Sequence, residues 1–120
     1  MPVPASGQWS TSADVNNAVV NANSDQWHHA VVSDQNGGII SVWQDERNYH
    51  TYGAGIYAQR ISQSGTNLWG PAGMGMAICD HMIEETCFDM FTYTNSDAHC
   101  GFPRLLYDAV TNDYYVMWQD

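Results

Sequence analysis

Short apolar runs separated by clusters of Asp, Asn, Gly and Ser organise this chain. Residues 30–32 are apolar and stop at Ser33-Asp34. Residues 39–43 are β-branched and aromatic, as a pleated surface prefers. Between them lies Gln35-Asn36-Gly37-Gly38, where Asn-Gly predicts the positive φ values of a tight hairpin turn. Residues 55–61, GIYAQRI, alternate: Ile56 and Ala58 on one face, Tyr57, Gln59 and Ile61 on the other. Further strands are predicted at 18–20, from Leu68-Trp69, over 74–78, and as a hairpin pair at 104–108 and 113–120. The stretch 45–52 is polar and predicts a loop. No segment carries an apolar period of a helix, so the chain is all-β.

Parts of this pattern recur. Residues 30–34 with Val42-Trp43-Gln44-Asp45 match residues 104–108 with Met117-Trp118-Gln119-Asp120. The offset is 74 at the first Asp (Asp34, Asp108) and 75 at the Trp (Trp43, Trp118), placing one extra residue in the later turn. A weaker match sets Trp9 and residues 18–20 against Trp69 and residues 77–79. A repeat of short antiparallel strands joined by turns predicts β-propeller-like blades, here a partial propeller. The expected organisation is a lead segment and tail of a preceding repeat (1–29), one complete repeat (30–80), an insertion (81–103) and the first half of a following repeat (104–120). Such units bury their faces against neighbouring repeats or other copies of themselves.

The residues Val31-Val32-Ser33-Asp34, Gly37-Gly38, Trp43-Gln44-Asp45-Glu46-Arg47, Ile56-Tyr57-Ala58-Gln59-Arg60-Ile61, Gly65 and Trp69 form a recognisable wording. It resembles the repeat arrays of secreted and cell-surface bacterial proteins of β-propeller-like, adhesin-like type. The resemblance covers the full repeat and both partial flanks. The chain departs from the pattern with His29 in place of Pro and with the irregular 79–103 stretch. The resemblance implies an extracellular or cell-surface location and a non-catalytic binding or structural role, engaging a protein or a glycan.

Charge narrows the partners. Thirteen acids stand against three arginines and no lysine, for a formal net charge of −10. Nucleic acid and anionic membranes are bound through clustered Lys and Arg, so neither is an expected partner. No run approaches the roughly 20 apolar residues of a membrane span. The first ten residues carry no basic segment and no apolar core, and are not read as a signal peptide.

Candidate chemistry is sparse. Aromatic residues in predicted loops, Trp27, Tyr49, Tyr52, Phe88, Phe91 and Tyr93, are the candidate binding residues: flat rings stack on sugars or pack on a partner. Cys87 and Cys100 bracket a loop and are the expected disulfide, with Cys79 a buried thiol or a partner to something outside this chain. No cofactor is expected. The weak metal candidates are Asp34 and Asn36, whose oxygens suit Ca²⁺, and His81 and His99 in the insertion. His28 and His29 are expected to be structural. Arg47 and Arg60 sit within the repeat wording and are expected to pair with Asp45, Asp34 or an equivalent acid. Two alternatives stand beside the binding module. One is a fragment of a propeller-type glycoside hydrolase, although no pair of carboxylates is set at a defined separation. The other is a self-assembling module that pairs strand edges between copies.

Overall fold

The structure, a computed structural model, describes residues 9–15, 17–79 and 100–119, with the side chains of 51 and 52 outside that description. Six strands and one helical turn follow in the order β1 (Gln26–Ser33), β2 (Ile39–Asp45), α1 (Tyr49–Tyr52), β3 (Gly55–Ile61), β4 (Met76–Cys79), β5 (Gly101–Asp108) and β6 (Asp113–Gln119). Strands β1 to β4 form one antiparallel sheet in sequence order, and β5 and β6 form a separate antiparallel hairpin. The fold is all-β, as the alternation predicts.

The connection between β1 and β2 differs from a two-residue Asn-Gly turn. It runs over 34–38, and its left-handed residues are Gln35 (φ 64°) and Gly37 (φ 82°), not Asn36. The cause is Asp34. Its Oδ1 accepts the backbone N–H groups of Asn36 and Gly38, each at 2.8 Å, while its own N–H donates to the Gly38 carbonyl at 3.1 Å. A side chain that captures two amides fixes a wider loop than Asn-Gly alone requires.

β2 lies between β1 and β3, and both faces of the central strands are covered. Residues opposite one another in an antiparallel ladder share a face. Trp43 therefore lies beside Tyr57 on one face, and Val42 beside Ala58 and Gln44 beside Ile56 on the other. On the Trp43 face the turn before β4 presses its backbone down. A Cβ at Gly75 (φ 70°) would stand 2.7 Å from Trp43 Cη2 and 2.8 Å from the Ala58 carbonyl, so this approach needs glycine.

The β5–β6 hairpin packs on the opposite face. Val116 and Trp118 lie against the buried group Ile56, Cys79 and Cys100. The Cys100 N–H donates to the Ala54 carbonyl at 3.0 Å, and the Tyr114 hydroxyl donates to the Ser33 carbonyl at 3.2 Å. Cys100 is bonded to Cys79 rather than to Cys87. Spacing favoured the nearer cysteine. The ladder instead sets Cys79 opposite Ile56, and the Ala54 hydrogen bond brings Cys100 alongside, with a Cα–Cα separation of 6.6 Å.

Other expectations shift. Residues 18–20 form no strand. The strand expected from Leu68-Trp69 reduces to a single bridge between Asn67 and Ile61, and the fourth strand is Met76–Cys79. The 45–52 loop contains α1. β1 starts at Gln26 and β5 at Gly101, both earlier than the apolar runs at 30 and 104.

The two hairpins share one anatomy. In β1–β2 the register slips between Trp27 and Ala30, and in β5–β6 between Gly101 and Arg104. Inside each slip sits a non-glycine residue in the left-handed region, His28 (φ 49°) and Phe102 (φ 52°). Each turn opens with an Asp whose Oδ1 accepts the amide two residues on, Asp34 from Asn36 and Asp108 from Val110, both at 2.8 Å. These positions keep the 74-residue offset of the sequence match.

Candidate binding cleft

The conspicuous Trp, Asp and Arg residues of β1 to β3 and their turns form a framework around two buried carboxylates. Trp43 Nε1 donates to Asp45 Oδ2 at 2.7 Å. Arg47 grips the same carboxylate with two prongs, Nε to Oδ1 at 2.8 Å and Nη2 to Oδ2 at 2.7 Å, and its own N–H adds a third bond to Oδ1. Nη2 also donates to the Met74 carbonyl at 2.7 Å, tying the turn before β4 to the sheet, and the guanidinium lies 3.9 Å over the Tyr57 ring. Arg60 Nε donates to Asp34 Oδ2 at 3.1 Å. The expected pairing of both arginines with these acids is what the structure holds.

Asp34 is thus engaged on both oxygens. Burial pushes its carboxyl up, but the amides of Asn36 and Gly38 and the Arg60 guanidinium outweigh that and hold it below its ordinary value. A guanidinium already balances its charge. Asn36 contributes its backbone amide to Asp34. Among the described residues, no three His, Cys, Asp or Glu side chains come together around a possible metal. His81 and His99 lie outside the described residues.

A shallow cleft of about 370 Å³ opens where the sheet meets the hairpin. Gln44 and Glu46 come from the end of β2 and the residue after it, Tyr49 from α1, Phe102 from the β5 bulge and Gln119 from the end of β6. Gln44 joins the two walls, because its Oε1 accepts the Phe102 N–H at 3.3 Å. A Cβ at Gly101 would stand 2.8 Å from the same oxygen, so the small residue lets the hairpin seat against Gln44. The Phe102 ring packs on His28 with centroids 4.4 Å apart. Tyr49 and Phe102 are both exposed. Among the described residues the cleft holds two amides, a carboxylate, a phenol and an aromatic face, and no cationic side chain.

Of the aromatic candidates, the structure places Tyr49 on this cleft. Trp27 is exposed and sits opposite Gln44 in the ladder, next to His28. Tyr52 ends α1, and its side chain is outside the description. Phe88, Phe91, Tyr93 and Cys87 lie outside the described residues. Phe102 is not among the sequence candidates, because strict strand alternation hides it; His28, expected to be structural, packs on its ring. The signal was present in the repeat itself, since Phe102 occupies the position of His28 at the 74-residue offset.

Comparison with protein-family models, curated proteins and solved structures finds no match to this chain.

Proposed function

We propose that this chain is a β-propeller-like repeat segment of a secreted or cell-surface protein, acting as a non-catalytic binding or structural module that engages protein or glycan. The observation that carries this reading is the shared anatomy of the two hairpins, packed side by side with their bulge residues His28 and Phe102 in contact. Repeats that bury their faces on one another make this kind of contact at each junction. The resemblance to bacterial surface-protein repeats agrees with it. The Cys79–Cys100 disulfide is compatible with an oxidising compartment, and no helix among the described residues is long and apolar enough to cross a membrane.

Binding is favoured over hydrolysis by the state of the buried acids. Asp34 and Asp45 are saturated by indole, guanidinium and amide donors, which leaves neither carboxylate poised for acid or base work. An array of immobilised glycans and extracellular proteins, run beside a panel of chromogenic glycosides, tests this. Retention on the array without turnover is expected. Hydrolysis of any glycoside overturns the binding-only reading and favours the hydrolase.

One observation favours a second role, assembly. On the outer face of the hairpin, Arg104 lies opposite Met117 and Leu106 opposite Tyr115. The same register in the first hairpin sets Ala30 opposite Val42 and Val32 opposite Ile40, on the face that β5–β6 covers. There Val42 and Ile40 are 0% and 2% exposed, whereas Met117, Leu106 and Tyr115 are 52%, 55% and 46% exposed. The outer face is the uncovered counterpart of a buried one, suited to a further repeat or another copy.

A further inference from the structure

We infer that the cleft between the sheet and the β5–β6 hairpin is a binding site for a neutral pyranose oligosaccharide. This rests on the reading of the chain as a binding module and specifies its ligand. The cleft's size, about 370 Å³, falls within the usual range of small-ligand sites, about 300–1,000 Å³. Its chemistry is that of hydroxyl recognition. With Gln44 Oε1 turned to the Phe102 amide, the Gln44 Nε2 group remains as a donor. The Gln119 amide on the opposite wall supplies both a donor and an acceptor, and the Glu46 carboxylate supplies acceptors.

Such planar groups bond pairs of neighbouring hydroxyls. The Phe102 ring, held by His28, offers an apolar face for the C–H side of a pyranose. Charge selects among sugars. Among the described residues Glu46 lines the cleft and no cation does, and the chain carries −10 overall, so acidic saccharides are repelled. Gln44 and Gln119 are also repeat counterparts, at the 75-residue offset of Trp43 and Trp118. The cleft therefore sits at a repeat junction, and an array of such repeats would present one per junction and bind by avidity.

Isothermal titration of the intact chain with cellotetraose, chitotetraose, mannotetraose, sialyllactose and tetralysine tests the site. At least one neutral tetrasaccharide is expected to bind, with sialyllactose weaker. Gln119→Ala removes an exposed amide, and Phe102→Leu removes the aromatic face while keeping apolar bulk. Each is expected to weaken that binding about tenfold with an unchanged far-ultraviolet circular dichroism spectrum. Three results overturn the inference: no neutral tetrasaccharide bound at millimolar concentration, binding unmoved by both substitutions, or tetralysine bound in preference and released by Glu46→Gln. Failure of the module reading itself has a different signature, because coupling between His28 and Phe102 is measured without any sugar. Intact coupling with no saccharide binding rejects the cleft alone.

Discussion

His28 and Phe102 pack ring against ring, 4.4 Å between centroids, and they stand at matching positions of the two hairpins, 74 residues apart. Each sits inside a register slip with left-handed backbone, at φ 49° and 52°. A non-glycine residue in that region is uncommon and costs energy, so its appearance at the matching position of both hairpins marks a built feature. The bulges turn two side chains that strict alternation would keep apart into the contact that joins one hairpin to the next.

The disulfide gives a direct test of the hairpin's seating. A non-reducing peptide map is expected to contain Cys79 joined to Cys100. Replacing both by Ser is expected to cost about 3 kcal/mol of unfolding free energy, because the bond closes a long loop between the sheet and the hairpin. Cys87→Ser is expected to leave the Cys79–Cys100 peptide in the map. A Cys87–Cys100 peptide contradicts the arrangement.

Asp45 tests the framework. It is 1% exposed and accepts from Trp43 and from three donors of Arg47. Asp45→Ala strands a buried indole N–H and a guanidinium, and is expected to destabilise by about 3 kcal/mol in urea denaturation. Arg47→Lys loses the two-pronged grip and is expected to fall between that variant and the parent. A loss within experimental scatter for Asp45→Ala removes the network from the account of stability.

The pH dependence follows from Asp34. Its folded carboxyl titrates below its ordinary value of 3.8, so its contribution is fully present above that value and is lost as pH falls through the lower folded value. Stability is expected to drop on acidification below about pH 4. Asp34→Asn is expected to be less stable at neutral pH and to flatten that acid limb. An acid limb of unchanged slope in the variant assigns it to other carboxylates.

Much of this was legible in the sequence, and the misses share a cause. β2 and β3 follow from β-branched and aromatic residues in 39–43 and from the alternation of GIYAQRI, and the arginine pairs follow from their place in the repeat. The chain did not reveal that both faces of those strands are buried, because that depends on a hairpin that begins forty residues further on in sequence. Cys79–Cys100 was hidden for the same reason: a ladder, not spacing, brings the two together. Residues 18–20 look like a strand by composition but pair with no ladder. The cleft was half legible, through Tyr49. Phe102 follows an irregular stretch and becomes visible only when matched to His28.

The assembly surface has its own measurement. Light scattering at several concentrations is expected to show association that weakens in a Leu106→Ser/Met117→Ser variant, since about 25 cal/mol of stabilisation is lost for each Å² of apolar area no longer buried. Association unchanged by both substitutions places the contact elsewhere.

The seating of the two hairpins on one another is tested most directly by a double-mutant cycle on His28→Ala and Phe102→Ala, followed by urea denaturation. Two rings in direct contact across the junction predict a coupling of about 1 kcal/mol, with the double variant losing less than the sum of the single losses. Strictly additive losses contradict the account, for they mean that the two bulge residues do not touch and the two hairpins are not seated as successive repeats.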